Sequence, residues 1–580
     1  MRSTMRTHTP STLRNGALAV ALALSAAPLI ACGDDDKAGT TDTTPDSTPN
    51  PDGDTSDPGD TPDTTGTPDA LIESRPLANV FRIDPGLTPN LTEVELEHLT
   101  SDDGRLVGDY ARVRSCMPDL ERGAKIPLDL GGLVLNLTAC FPDSQVRPNE
   151  QGTYLHVAPP ASPAADDGQF AEVMMYHHMQ VVHDYFKEVH GLTDRDHPLD
   201  AITNVQAHVD LCNQWAQIAN AAFFPEGAFE SLGLPIGAEA FDIQGDAIVF
   251  SGTDQKNFAF DASVIYHEYV HAILGATRLN AAFLDDQGLN NLPGALNEAY
   301  ADYFAGTLTE ESATGQYALN DISGLSVCGI ELGSGGNFAR DMEVTKSCPL
   351  DLTAQVHADS EIFSSALWQI RKDLGKQDAD AAILAGVLTL TNTSDFQMAA
   401  DATIDAVTEL FGQEASDKTT AAFENRGILG CDRIIPVERV GERGLALTLE
   451  ASNAISPNPF QGYMPAYLQL SLDVPENTRK LELTLDLSTG GGGFGGGGGA
   501  PPNVELALKP GSDPVTYTFG FAAGSGRNDA AVTLPVTNGK AIFEGDPGQL
   551  ITAGRWTIAI HNKGGGASLS KVTAVFTAAP

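Results

Sequence analysis

His267-Glu268-Tyr269-Val270-His271 sits in an apolar run, with Val264-Ile265-Tyr266 before it and Ala272-Ile273-Leu274 after it. Residues four apart on a helix share a face, one turn above the other. His267 and His271 therefore aim two imidazoles at one point, and Glu268 sits beside that point. Two neutral imidazoles suit Zn²⁺, and a carboxylate next to a zinc-held water is a general base. Asp261, an N-cap residue type, is placed to open this helix. Five letters also arise by chance in a chain of 580 residues, so the downstream sequence has to carry its share.

A two-histidine zinc site needs a third protein ligand and an open position for water. The best candidate is Glu298, in Gly294-Ala-Leu-Asn297-Glu298-Ala-Tyr-Ala-Asp302-Tyr-Phe, with 26 residues between it and His271. Asp302, four residues on, shares a helical face with Glu298 and can reach the site from behind. Metal-bound histidines usually donate their second N–H to such a carboxylate, and Asn297 can serve the other histidine.

These residues resemble the gluzincin metallopeptidases of the thermolysin and fungalysin type, whose signature is HExxH followed by a helix bearing NE-x-x-x-D. The spacing is wider than in thermolysin and nearer fungalysin. The resemblance implies a multidomain fold, with an α+β catalytic domain of β-rich N-terminal lobe and helical C-terminal lobe. It implies His267, His271 and Glu298 as zinc ligands, Glu268 as the base, and Asp302 and Asn297 behind the ligands. It extends over roughly residues 170–430. Val356-His357-Ala-Asp-Ser resembles the segment with the transition-state histidine, so His357 would stabilise the oxyanion. Phe338-Ala-Arg340-Asp-Met342 resembles the segment whose arginine binds a substrate carbonyl, a salt bridge being the other reading of Arg340. Asn220-Ala-Ala-Phe223 resembles the edge strand that pairs with substrate backbone. Two departures stand out: no tyrosine lies between the HExxH and Glu298, and Leu352 occupies the place of the histidine's acidic partner, with Asp351 adjacent. Calcium-site carboxylates are not recognisable, so calcium has no support in the sequence.

The chain opens like an export signal. Arg2, Arg6 and Arg14 precede a short apolar run, Gly16 to Ile30. The run ends in Leu29-Ile30-Ala31-Cys32, which resembles the lipobox of bacterial lipoproteins and makes Cys32 the expected lipidation site, a membrane anchor without a span. The expected location is the bacterial cell envelope, as an outer-membrane lipoprotein, or the extracellular side after release. Residues 33–70 carry eleven Asp against Lys37 and nothing to bury, the composition of a disordered tether. The formal charge of -43 argues against nucleic acid as a partner. The expected partners are protein or peptide substrates.

Residues 71–165 read as an N-terminal region or a pro-region, with hairpin material at Leu128 to Leu137. Residues 166–432 are the expected peptidase domain. Within it, helices are expected at Phe170 to Val189, Asn297 to Leu308, Glu361 to Leu374 and through Ala381 to Leu410, and a strand at Ala247 to Phe250. His177, His178 and His183 on the first helix do not converge on one face and read as packing residues. From about Ile434 short apolar alternations between turn residues predict an all-β sandwich over 433–580, with Gly490 to Gly499 as a loop. Six cysteines besides Cys32 fit three disulfides in an exported chain. Proximity suggests Cys116–Cys140 and Cys328–Cys348, leaving Cys212–Cys431.

The leading expectation is a zinc endopeptidase. The alternative is a non-catalytic envelope protein that binds through its sandwich. An aminopeptidase is a third reading, but its Gly-x-Met-Glu-Asn-like anchor is not found.

Overall fold

The computed structural model describes residues 75–129, 134–162, 168–228, 238–275, 279, 283–322, 326–328, 330–331, 336–441, 446–449, 465–489, 501–518, 527–546 and 548–579. The expected export signal with Cys32, the expected tether over 33–70 and the Gly490–Gly499 run lie outside them.

The N-terminal lobe is built from strands. In chain order they are β1 (Leu77–Phe81), β2 (Leu91–Glu95), β3 (Ala111–Met117), β4 (Lys125–Asp129), β5 (Val134–Ala139), β6 (Phe141–Asp143), β7 (Leu199–Thr203), β8 (Gln206–Val209), β9 (Gln214–Gln217), β10 (Ala221–Phe224) and β11 (Ala247–Phe250). One sheet has the order β10-β11-β7-β3-β6, parallel at β11·β7 and β7·β3 and antiparallel at both ends. A second runs β4-β5-β8-β9. β3 and β6 both come from the 71–165 region, and β3 lies inside the first sheet. A chain cut at 165 and stripped of that segment would lose two of the sheet's strands.

Helix α1 (Gln169–Asp184) crosses behind this lobe and ends in a π-helical turn, Tyr185–Val189. The helices that follow are α2 (Ala262–Leu274), α3 (Leu292–Thr309), α4 (Val356–Leu374), α5 (Lys376–Val387), α6 (Phe396–Phe411) and α7 (Gln413–Glu424). α2 and α3 are buried nearly all round, which their apolar sequences permit only in the middle of a domain. Short strands fill the connections: β12 (Phe283–Asp285), β13 (Gly288–Asn290), β14 (Ala313–Thr314), β15 (Ser326–Val327), β16 (Ile330–Glu331) and β17 (Arg340–Asp341).

Three helix boundaries differ from expectation. α3 begins at Leu292, whose N–H is taken by the Asn290 side chain. α4 begins at Val356 because Gln355 caps it, accepting from the Ala358 N–H at 2.7 Å. The single helix expected over 381–410 is two, α5 and α6. A turn closed by Ser394 N–H to Thr391 O breaks it, and Asp395 caps the second piece.

The last strands are β18 (Ile434–Pro436), β19 (Leu447–Leu449), β20 (Pro465–Val474), β21 (Thr478–Thr489), β22 (Val504–Pro510), β23 (Tyr517–Thr518), β24 (Arg527–Asn528), β25 (Val532–Pro535), β26 (Lys540–Glu544), β27 (Gly554–Asn562) and β28 (Ala567–Ala578). They form two main sheets, β18-β20-β27-β22-β25 and β19-β28-β21-β26. Alternate residues such as Leu481, Leu483 and Leu485 are buried, and so are Trp556, Ile558 and Ile560. One buried apolar cluster runs without a break from the helical lobe into this sandwich.

Two of the three expected disulfides are different. Cys116–Cys140 forms, but the others are Cys212–Cys328 and Cys348–Cys431. The Cys348 N–H bonds to Arg426 O at the end of α7, which carries Cys348 to Cys431 and away from its neighbour in sequence. Cys328 is left to join Cys212, in the β8–β9 turn. None of the described helices is long and apolar enough to cross a membrane.

Candidate metal centre

α2 is fixed at its N-terminus before it presents anything. The Asp261 carboxylate accepts from Ser263 N–H at 3.0 Å and Ser263 Oγ at 2.6 Å, and its other oxygen accepts from Ala318 N–H at 3.0 Å. Gly275, at φ 76, ends the helix. Between these stops His267 and His271 fall one turn apart on the face that meets α3.

The side chains converge. His267 Nε2 lies 3.1 Å from His271 Nε2 and 3.2 Å from Glu298 Oε2, and His271 Nε2 lies 3.7 Å from Glu298 Oε1. Tetrahedral ligands at zinc–nitrogen and zinc–oxygen bond lengths of about 2.0–2.2 Å stand roughly 3.3–3.5 Å apart. The three observed separations bracket that spacing. All three residues are buried, and Glu298 Oε2 has no hydrogen-bond donor. A buried carboxylate oxygen without a donor is costly unless a cation meets it. Two histidines and a glutamate so placed fit zinc by donor type and by spacing.

Partners behind the two histidines set their orientation. His267 Nδ1 is 3.0 Å from Asp302 Oδ1, and His271 Nδ1 is 2.6 Å from Asn297 Oδ1. Each contact holds the far nitrogen, which leaves both Nε2 atoms to face Glu298. Arg340 clamps Asp302, with Nε to Oδ2 at 2.7 Å and one terminal N–H to Oδ1 at 2.8 Å. The same guanidinium is 3.8 Å from Glu298 Oε2. Of the two readings of Arg340, the salt bridge is the contact the fold makes.

Glu268 lies beside these groups, where His267, Glu298 and the Phe223 backbone N–H each act on its carboxyl. Phe223 belongs to β10, the edge strand of the five-stranded sheet, which packs against α2. Asn220 immediately precedes β10, and its carbonyl accepts from Ser251 N–H at 2.9 Å. On the far side His357 Nε2 is 3.5 Å from Glu298 Oε2, with 44% of its side chain exposed. Gln355, not Asp351, meets the other ring nitrogen, Nε2 to Nδ1 at 2.9 Å. Neither Gln355 nor the Phe223 N–H was visible in the sequence. One acts as a helix cap of unusual type, the other as a backbone donor.

The charges are coupled. Burial alone would depress His267, but the Asp302 and Glu298 carboxylates beside its two ring nitrogens bring it up to about 9. Burial depresses His271 to about 4. Burial would raise Glu298, yet the three histidines around it hold it well below the usual carboxylate range. Burial pushes Glu268 up to about 7, with Glu298 adding to the effect.

The remaining histidines stay apart. His178 is buried between Tyr266 Oη at 2.8 Å and Phe81 O at 3.0 Å, and His183 bridges Asp184 and Asp196. His177 lines a small cavity beside β1 and β2.

Residues 288–428 match the family described as thermolysin metallopeptidase, alpha-helical domain. A zinc metalloproteinase of Listeria monocytogenes is 24% identical over 263 residues, 42% of this chain and 45% of the relative. An extracellular elastase of Staphylococcus epidermidis is 25% identical over 269 residues, 45% of this chain and 47% of the relative. The chain thus spans about half the length of these curated relatives. A solved structure, the precursor of protealysin, a metalloproteinase from Serratia proteamaculans, aligns with TM-score 0.32 and 16% identity over 57% of this chain and 91% of that one. The matched helical domain includes Glu298, Asp302, Arg340 and His357, while His267, Glu268 and His271 come to it from the segment before.

Proposed function

We propose that the chain is a zinc-dependent endopeptidase acting on protein or peptide substrates. One observation carries the proposal: three buried ligand atoms from two helices meet at tetrahedral spacing with a carboxylate beside them. His267, His271 and Glu298 would hold the ion, which when bound supplies a Lewis acid and lowers the pKa of a water it holds.

Glu268 takes the proton of the attacking water and later passes it to the leaving amine. The Phe223 N–H orients its carboxylate for that transfer. His357, across from Glu298, is placed to donate to the developing oxyanion of the peptide carbonyl. β10 offers the substrate backbone an edge to pair with, with Asn220 at its start as a side-chain contact. Arg340 serves through Asp302 by holding His267; a direct contact with a substrate carbonyl belongs to the same proposal. Cys32 as a lipid anchor, a cell-envelope location and release to the extracellular side complete it.

The test uses the full chain, exported so that its disulfides form, beside Glu268→Ala. Bound zinc and digestion of casein are measured. Near-stoichiometric zinc in both proteins, with cleavage stopped by chelator and by the substitution, is the expected result. A lost general base costs about 10²–10⁴ in rate. A folded chain that binds no zinc overturns the proposal and leaves a binding role for the sandwich.

A further inference from the structure

His357 stands on the first turn of α4 with nearly half its side chain in solvent. Its ring meets Gln355 and faces Glu298, so its position follows the turn before the helix as well as the helix itself. That turn, Thr353 to Gln355, is buried at its first two residues, and Ala354 adopts φ 64, the left-handed region that costs a non-glycine residue. Such a turn persists only when its surroundings hold it.

Three parts of the molecule do so. Asp359, from within α4, accepts from Thr353 N–H at 2.7 Å, Thr353 Oγ at 2.9 Å and Ala354 N–H at 3.0 Å. Asn291, at the head of the helix bearing Glu298, donates from Nδ2 to Ala354 O at 2.7 Å. The third hold comes from the sandwich: Thr448, on β19, donates its backbone N–H to Thr353 O at 2.8 Å. Gln355 follows at once, capping α4 and meeting His357.

The sandwich grips the site a second time at the β12–β13 hairpin. Arg433 reaches Asp285 Oδ2 at 2.6 Å, and Tyr517 N–H reaches Asp286 O at 2.6 Å. Asp285 Oδ2 also accepts from Asn290 Nδ2 at 3.0 Å, and Asn290 takes the first N–H of α3. One anchor therefore stands at the head of the helix with His357 and the other at the head of the helix with Glu298.

We infer that the C-terminal sandwich is a positioning part of the active site: through Thr448 and Arg433 it holds the 353–355 turn and the 285–291 hairpin, and so sets His357 against Glu298. The inference rests on the peptidase reading of the site. Displacements of about 1 Å in a reacting constellation can cost about 10²-fold in rate.

The test compares Thr448→Pro, which deletes one donor, Arg433→Met, and Arg433→Lys as the conservative control. Each is made in the full chain with and without His357→Ala. Zinc content, hydrogen exchange at amides 353–358, and kcat and KM on a peptide are measured. The expected result is unchanged zinc, faster exchange at 353–358, and kcat down about tenfold or more with KM little changed. Arg433→Lys should recover part of kcat. In the His357→Ala background neither Thr448→Pro nor Arg433→Met should lower kcat further. Unaltered exchange, or an equal loss with and without His357, overturns the inference. Should Thr448→Pro not fold, Arg433→Met decides. A wild type that binds zinc and cleaves nothing sinks the peptidase reading alone, and the exchange at 353–358 still decides the positioning.

Discussion

Asp302 shows how a single carboxylate orients a histidine. Arg340 and His267 share its two oxygens, and although burial would raise its pKa, those two cations hold it at about 2. Asp302→Asn keeps the shape and removes the charge, so zinc affinity should fall about 10–100-fold by chelator competition, and Tm should fall as well because Arg340 loses its buried partner. An unchanged affinity would mean His267 is oriented by packing alone. The motif made His267, Glu268, His271, Glu298 and Asp302 legible, because i to i+4 spacing places them on helix faces before any tertiary structure is known. Gln355 was not legible, since its contact with His357 depends on the left-handed Ala354. Glu172, in α1, offers a second test at this scale. It accepts from the backbone N–H groups of Ser115 at 3.0 Å and Gln145 at 2.8 Å, yet burial pushes it up to about 8. A carboxyl with its folded pKa above the unfolded 4.5 contributes stability that is full below that pH and is lost as pH rises toward about 8. Glu172→Gln should therefore gain on the wild type in Tm steadily from about pH 5 to 8. A Tm difference flat with pH sinks this account.

α2 is the element on which the site depends, and its cap ties two segments together. Asp261 holds Ser263 with one oxygen and the Ala318 N–H with the other, and Ser263 Oγ accepts from Gly315 N–H at 2.9 Å. Asp261→Ala should cost the usual cap, about 0.5–2 kcal/mol, plus about 1–3 kcal/mol for the buried donor left at Ala318. Denaturant unfolding measures the sum; a loss below about 1 kcal/mol would show that water replaces the carboxylate. The cap and the Ala247–Phe250 strand were readable because local residue type decides them. The break between α5 and α6 was not, because Thr391-Asn-Thr-Ser394 carries polar turn residues but neither glycine nor proline, and periodicity runs through it. The early start of α4 was hidden for a related reason: glutamine is seldom a cap.

At the scale of the molecule the change of character near Ile434 was legible, since period-two alternation is a local property, and β18 begins there. That the sandwich seats on the 285–291 hairpin was not, because the contacts join residues 148 positions apart, as in Arg433 with Asp285. The disulfides teach the same lesson, since only tertiary structure says which cysteines meet. Their closed loops make a quantitative test. The sequence separations are 116 for Cys212–Cys328, 83 for Cys348–Cys431 and 24 for Cys116–Cys140. If the bonds act by restricting the unfolded chain, paired Cys→Ser substitutions should cost about 5, 4.5 and 3.5 kcal/mol in that order. The first should cost most although Cys212 and Cys328, in the turns of the β8–β9 and β15–β16 hairpins, are only half-buried. Equilibrium unfolding of the three double variants measures the order. The reverse order, with Cys116–Cys140 costing most, would place the stabilisation in the folded N-terminal lobe, where that bond is buried, and not in the unfolded chain.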